Sequence, residues 1–113
     1  MPTRKQRGHD TQNLIAAVFA LNGWPHAESA GAGRRGRDIL GTPGVAVEVK
    51  ARKDFSPLAW IRQAVAQAEG DLPLVVCRPD GMGPASVDSW PVVMRLSDVL
   101  NLLNAAGYGS DAA

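Results

Sequence analysis

The chain has 113 residues, of which 45% are hydrophobic and 20% are charged, and this size is that of one small globular domain. One cysteine and two histidines exclude an internal disulfide and the ligand set of a structural zinc site. The longest apolar stretch, residues 14–21, is shorter than the ~20 residues that cross a bilayer, and the N-terminus does not resemble a signal peptide. We therefore expect a cytoplasmic protein with no membrane partner.

The net charge of +1 conceals an uneven distribution of charge along the chain. Residues 1–53 carry nine Lys or Arg against four Asp or Glu, which is +5, whereas residues 54–113 carry three against seven, which is −4. This asymmetry indicates a polyanion as the partner of the first half of the chain.

The first third of the chain predicts a basic arm, a helix, a strand and a glycine-rich loop. Residues 1–8 are polar and basic and predict a flexible arm, and apolar residues at helical spacing predict a helix over about residues 10–22. A short strand follows over residues 24–30. The loop over residues 31–36 matches the pattern G-x-G-x-x-G, but it does not open a helix, so no nucleotide cofactor is expected.

Two strands follow the glycine loop. Residues 37–40 predict a strand, residues 41–44 a turn, and residues 45–50 a strand in which the side chains alternate strictly. The valines of this second strand are expected to face the core. Ala46, Glu48 and Lys50 are expected on the opposite face, because successive side chains of a strand point to opposite sides of the sheet.

The remaining chain predicts a helix, two strands and a last helix. Ser56 and Pro57 begin a helix that ends at Gly70 and buries a stripe of Leu58, Ile61, Val65 and Ala68, with Trp60, Gln63 and Gln67 on a different stripe. Residues 72–77 predict a strand covered on both faces, residues 91–96 a further strand, and Ser97 the start of the last helix. The tryptophans are expected in the core or in dimer packing, and the alternative for Trp60 is a platform on which a base stacks.

The predicted architecture is α/β, with a mixed β-sheet flanked by helices. We predict a single domain over residues 9–107. The basic arm over residues 1–8 precedes it, and a frayed tail over residues 108–113 follows it.

Two carboxylates, Asp38 and Glu48, stand on neighbouring predicted strands. Strands lie ~4.8 Å apart, so the two groups can share one hard cation such as Mg²⁺ if they point to the same face. A simple four-residue turn would point Asp38 away from Glu48, and we therefore predict a five-residue loop or a β-bulge between the strands. Lys50, on the same face as Glu48, can hold a water and offset developing charge. The alternative is an ordinary ion pair of Glu48 and Lys50 on a solvated strand.

The order and spacing of these residues, over about residues 4–78, resemble the PD-(D/E)XK nuclease superfamily and, within it, the archaeal-type Holliday junction resolvases. This resemblance implies a restriction-endonuclease-like fold with an αβββαβ core. It also implies that Asp38, Glu48 and the Val49 carbonyl bind Mg²⁺, with Mn²⁺ able to replace it, that Lys50 assists the attacking water, and that Ser29 lies beside the metal site.

The chain departs from the family pattern at two positions. Gln12 stands where the first helix of the family usually supplies a glutamate, and Arg37 stands where the proline of the family's name would be. An uncharged amide oxygen is a poorer metal ligand, so weaker metal binding, one metal instead of two, a glutamine variant of the superfamily and a structural role for Gln12 all stay open. Gln63 resembles a glutamine that the family carries near the catalytic face, and the alternative is a solvated helix residue.

Basic residues cluster along the chain near the proposed site. We expect them to contact DNA, through phosphates more than bases, although solvated surface charge is the alternative. With Gln63, the predicted DNA-contacting residues are Arg4, Lys5, Arg7, Arg34, Arg35, Arg37, Arg52 and Lys53.

The function expected from the resemblance is that of a Mg²⁺-dependent endonuclease that hydrolyses phosphodiester bonds in branched DNA, as a Holliday junction resolvase does in recombination and repair. Two symmetric cuts need two sites, which predicts a homodimer. Two alternatives stay open: a general or nicking DNA endonuclease of repair, and a non-catalytic DNA-binding subunit in which Gln12 marks a decayed site.

Overall fold

The computed structural model describes residues 3–31 and 36–109, and it confirms an α/β fold with mixed β-structure flanked by helices. The elements are, in chain order, α1 (Arg4–Leu21), β1 (Glu28–Ser29), β2 (Ile39–Leu40), β3 (Val45–Lys50), α2 (Pro57–Ala68), β4 (Leu72–Cys77), a 3₁₀ helix (Pro84–Ser89), β5 (Val92–Val93) and α3 (Leu96–Ala105). In the described part of the chain, no helix is long and apolar enough to cross a membrane.

The described strands form two separate sheets, where the sequence predicted one. β3, β4 and β5 form a mixed sheet in that order, with β3 parallel to β4 and β5 antiparallel to it. β1 and β2 form a small antiparallel pair in which Ser29 lies opposite Ile39. The restriction-endonuclease-like arrangement of these elements stays a prediction.

The strands β3 and β4 are covered on both faces. Val47, Val49 and Val76 pack in one cluster with Ile15 of α1, whereas Val75 packs in a second cluster with Trp60 and neighbouring residues of α2. Val75 and Val76 are consecutive, so they point to opposite faces of the sheet. The prediction that residues 72–77 form a strand with two buried faces is therefore confirmed.

Helix α1 begins at Arg4, six residues before the predicted start, and it includes most of the segment predicted as a flexible arm. The reason is a capping box at Thr3. The Thr3 side chain accepts a hydrogen bond from the Gln6 backbone N–H at 3.1 Å, and the Gln6 side chain accepts one from the Thr3 N–H at 2.9 Å. These two bonds satisfy donors that the start of a helix otherwise leaves open.

Helix α2 presents a different stripe to the core from the one predicted. Leu58 and Val65 are exposed, whereas Trp60 and Ala64 are buried together with the expected Ile61 and Ala68. The ring of Trp60 covers more apolar area than an aliphatic side chain, which favours the rotation that buries it. This rotation turns the Trp60 stripe, with Gln63 and Gln67, toward β3. Trp60 and Trp90 are in the core as predicted, and Trp24 is half-buried against it.

The last helix, α3, buries none of its side chains in the described structure. It begins at Leu96, one residue before the predicted cap, Ser97. Its four leucines, Leu96, Leu100, Leu102 and Leu103, are 41 to 72% exposed. The predicted tail begins after this helix, and its residues 110–113 lie outside the described part of the chain.

Candidate metal and phosphodiester site

The structure brings the two predicted carboxylates together. Asp38 directly precedes β2, and its Oδ2 accepts a hydrogen bond from the backbone N–H of Val49 at 2.8 Å. This contact places Asp38 at the edge of β3, close enough to Glu48 for the two carboxyl groups to interact. Asp38 is half-buried and takes no part in the cluster of core valines.

The way in which Asp38 reaches Glu48 differs from the prediction. Neither a longer hairpin loop nor a bulge sets the register, because β2 pairs with β1 and forms no ladder with β3 in the described residues. The edge of β3 therefore has a backbone N–H at Val49 without a strand partner. The Asp38 carboxylate satisfies this donor in place of a strand, as buried backbone groups require.

Glu48 is an unusually buried carboxyl group. It is 1% exposed, and its Oε2 has no hydrogen-bond partner among the described residues. Burial, and then the charge of Asp38 and its hydrogen bond, raises the pKa of Glu48 to about 8, against a smaller opposing effect of Lys50. Two facing carboxyl groups are stable only when a proton or a cation lies between them.

Two glutamines of α2 contact the charged residues of β3. Gln63 Oε1 accepts a hydrogen bond from Lys50 Nζ at 2.8 Å. One helical turn later lies Gln67. In the amide orientation that satisfies its neighbours, its nitrogen donates to the Gly36 carbonyl oxygen at 2.9 Å and to Glu48 Oε1. The helix thus holds both Lys50 and Glu48 from the side opposite to α1.

Gln67 is a site residue that the sequence reasoning did not assign. A signal was present, because Gln63 and Gln67 are four residues apart and therefore share one face of a helix. The predicted aliphatic stripe placed that face away from the sheet, and the contact with Glu48 followed only from the burial of Trp60.

Gln12 and Ser29, which the resemblance places near the metal, contact each other. Ser29 Oγ donates to Gln12 Oε1 at 3.0 Å and accepts from the Gly31 N–H at 3.2 Å. Ser29 adjoins the Asp38 segment, since the next residue, Ala30, donates its N–H to the Asp38 carbonyl at 2.8 Å. Within residues 3–31 and 36–109, no hydrogen bond joins Gln12 to Asp38 or Glu48, and the amide oxygen that a metal would use accepts from Ser29.

The carboxylate pair fits a hard divalent cation. Mg²⁺ is commonly held by one or two carboxylates and keeps several waters, and Asp38 and Glu48, whose Oε2 has no hydrogen-bond partner among the described residues, supply oxygen donors of the required kind. The Val49 carbonyl, on the same residue that orients Asp38, is the third candidate ligand. No group of three His, Cys, Asp or Glu side chains in the described residues could hold a metal ion, so such a site would depend on two carboxylates.

Basic residues from the start of α1 and from the segment after β3 line one cleft. Because α1 begins at Arg4, it brings Arg4 and Arg7 to the end of β3, where they meet Arg52 and Lys53 around a cleft of about 400 Å³. Arg7 also makes a 3.5 Å ion pair with Asp80 at the edge of this cleft. Lys5 is exposed on α1 and does not line the cleft.

Arg37 contacts other parts of the protein, which indicates a structural role. Its guanidinium forms an ion pair with Asp71 at 2.8 Å and donates to the backbone carbonyls of Ala68 at 2.5 Å and Gln67 at 3.3 Å. It thereby satisfies carbonyl groups at the end of α2. These contacts weigh against the predicted phosphate contact. Two other predicted phosphate-contacting residues, Arg34 and Arg35, lie outside the described part of the chain.

Comparisons with protein-family models, with curated proteins and with solved structures found no match to this chain.

Proposed function

We propose that this protein is a Mg²⁺-dependent endonuclease that hydrolyses phosphodiester bonds in branched DNA, with Mn²⁺ able to replace Mg²⁺. The observation that carries the proposal is the pair of facing carboxyl groups, Asp38 and Glu48, in which Glu48 Oε2 has no partner, with Lys50 two residues further along the same strand. A pair of this kind destabilises the fold unless a proton or cation is bound, so its presence favours a functional role.

The residues around the pair divide the chemical tasks. Asp38, Glu48 and the Val49 carbonyl would hold the cation, while the Val49 N–H and the Gln67 amide hold the two carboxyl groups in place. Mg²⁺ held by these residues would offset their negative charge and would supply an activated water for attack on phosphorus. Lys50, whose Nζ is held by Gln63, lies on the same face of β3 as Glu48 and supplies positive charge for the phosphate as negative charge develops on it.

The cleft lined by Arg4, Arg7, Arg52 and Lys53 supports DNA as the substrate. The cleft of about 400 Å³ is lined by these four cations and by two carboxylates, Asp54 and Asp80, and its excess of positive charge attracts the phosphate backbone without reading sequence. Arg52 and Lys53 follow β3 by two and three residues, so a backbone in this cleft passes the end of the strand that carries Glu48 and Lys50.

Resolution of a junction requires a second active site, and we propose that a second copy of the chain supplies it. The exposed face of α3 is suited to this contact. Leu96, Leu100 and Leu103 share this face at helical spacing, and residues 96–109 contain one charged side chain, Asp98, which is paired with Arg95 at 2.9 Å. Two copies of this face can meet without repulsion between unpaired charges, and a two-fold axis places identical surfaces together.

A DNA-binding subunit without catalysis is the second candidate function. The contact of Gln12 with Ser29 favours this second function. The Gln12 amide oxygen, which stands in place of the family's glutamate, accepts a hydrogen bond from Ser29, and the site then has only two carboxylates as side-chain ligands among the described residues. The cleft and its cations would serve this function equally well.

One cleavage assay separates the candidates. The protein is incubated with a labelled four-way junction and with a linear duplex of the same sequence, in Mg²⁺ or in chelator. We expect cleavage of the junction alone, in Mg²⁺ alone. Cleavage of both substrates would indicate a general or nicking endonuclease, and binding of the junction without cleavage in Mg²⁺ or Mn²⁺ would indicate the non-catalytic subunit.

A further inference from the structure

Phe55 is an exposed aromatic residue in the segment that joins β3 to α2. Its side chain is 63% exposed, yet its ring meets the ring of Trp60 edge to face, with centroids 5.5 Å apart and an angle of 89° between the planes. Trp60 is 8% exposed and belongs to the α2 cluster of the core. Phe55 is therefore held against a fixed neighbour while most of its surface faces water.

The two rings line a pocket of about 200 Å³ that also has a basic lining. Lys50, Arg52, Lys53 and Arg78 contribute the basic groups, against one carboxylate, Asp80, and Pro79 and Pro91 add apolar surface. Arg78 is fixed there by hydrogen bonds from its guanidinium to Thr11 Oγ1 at 2.9 Å and to the Met82 carbonyl at 3.0 Å. An aromatic wall combined with several cations matches a flat aromatic ring attached to a phosphate, which is the chemistry of a nucleotide.

The pocket is continuous with the features that carry the proposed function. Lys50 lines it, and Arg52 and Lys53 line both this pocket and the cleft of about 400 Å³. A DNA backbone held in the cleft would therefore bring its bases to the mouth of the pocket. Bases within a continuous duplex are stacked on both faces, so the pocket can accept one only where the strand is unpaired.

We propose that this pocket binds one unpaired nucleobase of the DNA strand, which stacks on Phe55. The inference rests on the proposed function and deepens it. The protein would select branched or single-stranded DNA over continuous duplex by recognising an unstacked nucleotide beside the cleaved phosphate. Phe55 is then a specificity-determining residue that touches the substrate.

The test measures binding in chelator, where no cleavage can occur. Affinity for fluorescently labelled oligothymidine is compared for the wild type and for Phe55→Ala, Phe55→Leu and Phe55→Trp. Loss of one stacking contact is expected to weaken binding by roughly 5- to 100-fold in Phe55→Ala. Phe55→Leu, which keeps apolar bulk without an aromatic face, is expected to stay weak, and Phe55→Trp is expected to restore binding. Leu21→Ala, an exposed apolar residue at the end of α1, is the matched control and is expected to bind like the wild type.

A second readout reports the base itself. A 2-aminopurine placed in the oligonucleotide is expected to lose fluorescence when it stacks on Phe55, and to keep its fluorescence with Phe55→Ala. Circular dichroism of each variant, with its melting temperature, establishes that the fold is retained, which is expected because most of the Phe55 side chain is exposed.

The inference is overturned if Phe55→Ala binds oligothymidine like the wild type, if Phe55→Leu restores binding as well as Phe55→Trp, or if the wild type does not bind single-stranded DNA. Its failure differs from that of the proposed function. Cleavage in Mg²⁺ that is indifferent to Phe55 would leave the nuclease proposal standing without the pocket. Aromatic-dependent binding by a protein that cleaves no DNA would leave the pocket standing without the nuclease.

Discussion

Asp38 accepts a hydrogen bond from the backbone N–H of Val49, at 2.8 Å, and this contact sets the position of the candidate metal site. It fixes the carboxylate of Asp38, the residue before β2, at the edge of β3, beside Glu48. No ladder joins β2 to β3 in the described residues. The hydrogen bond of the Asp38 side chain therefore sets the position of Asp38 relative to β3, as strand pairing would in a continuous sheet. The arrangement of Asp38 therefore depends on a side-chain oxygen that accepts the Val49 N–H.

The buried Glu48 predicts that the metal-free protein loses stability as the pH rises. Because its pKa is raised to about 8, the folded state holds a proton that the unfolded state has lost between about pH 4.5 and pH 8. The free energy of unfolding should therefore decrease across this window, by up to ~1.4 kcal/mol per pH unit. Urea unfolding in chelator, at a series of pH values, measures this slope.

Glu48→Gln should flatten that slope and be more stable than the wild type at pH 8, because the amide needs no proton. Glu28→Gln, an exposed glutamate of β1, serves as the control and should keep the wild-type slope. Added Mg²⁺ should stabilise the wild type most at high pH, where Glu48 is charged, and should do little for Glu48→Gln. An identical slope in the wild type and in Glu48→Gln would contradict the assignment of the buried charge.

Lys50 and Gln63 should affect catalysis to different degrees. Lys50→Met removes the charge expected to stabilise the phosphate and should lower kcat by about 10²- to 10³-fold. Gln63→Leu keeps the charge of Lys50 but removes the hydrogen bond that orients its Nζ. This substitution should therefore lower kcat by about tenfold with little change in DNA affinity. Single-turnover cleavage of a junction, with affinity measured separately, distinguishes the two effects. Arg62→Gln, exposed on the same helix, is the control, and a Gln63→Leu enzyme with an unchanged kcat would exclude the positioning role.

Arg52 and Arg37 should respond differently to the salt concentration. Arg52→Gln removes a cation of the cleft and should reduce the slope of log affinity against log salt by about 0.7 to 0.9. Arg37→Gln removes contacts within the protein, so it should leave that slope unchanged and lower the free energy of unfolding by about 1–3 kcal/mol. Junction binding at several salt concentrations, together with urea unfolding, measures both quantities. A reduced salt slope in Arg37→Gln would restore the phosphate contact that the sequence predicted.

The face of α3 predicts that the protein is a dimer in solution. Leu100→Asp and Leu103→Asp each place a charge on this face and should shift the mass measured by light scattering from two chains toward one, because a buried unpaired charge is costly. Both side chains are exposed in the single chain, so the fold should be retained. Leu21→Asp, on α1, is the matched control. A monomeric wild type would contradict the proposed interface.

Much of the sheet could be predicted from the sequence, because its signals are local. The alternation of residues 45–50 and the apolar run of residues 72–77 match the observed strands β3 and β4 in both position and length. The proximity of Asp38 and Glu48 was predicted as well, since the chemistry of a shared cation requires it. The hydrogen bond that positions Asp38 was not predicted. The absence of a ladder between β2 and β3 depends on how the whole chain packs, and no local signal reports it.

The errors of the sequence reasoning have a common cause, which is the weight of tertiary packing. The aliphatic stripe of α2 is regular, but burial of the large ring of Trp60 sets the rotation of the helix. The contacts of Arg37 could not be predicted, because Asp71 lies far along the chain and no spacing rule connects the two residues, and its phosphate contact stays a prediction. The start of α1 is an exception, because the capping residues Thr3 and Gln6 are a local signal that the basic character of the segment obscured.

The most direct test of the central proposal is cleavage and binding of a four-way junction by Asp38→Asn, compared with the wild type and with Asp88→Asn, an exposed control in the 3₁₀ helix. The asparagine oxygen can still accept the Val49 N–H, so the fold should be kept while a metal ligand loses its charge. We expect cleavage in Mg²⁺ to decrease by at least about 10²-fold in Asp38→Asn, with junction binding in chelator equal to or tighter than that of the wild type. Cleavage by Asp38→Asn at the rate of the wild type would contradict the proposal that Asp38 and Glu48 form the metal site.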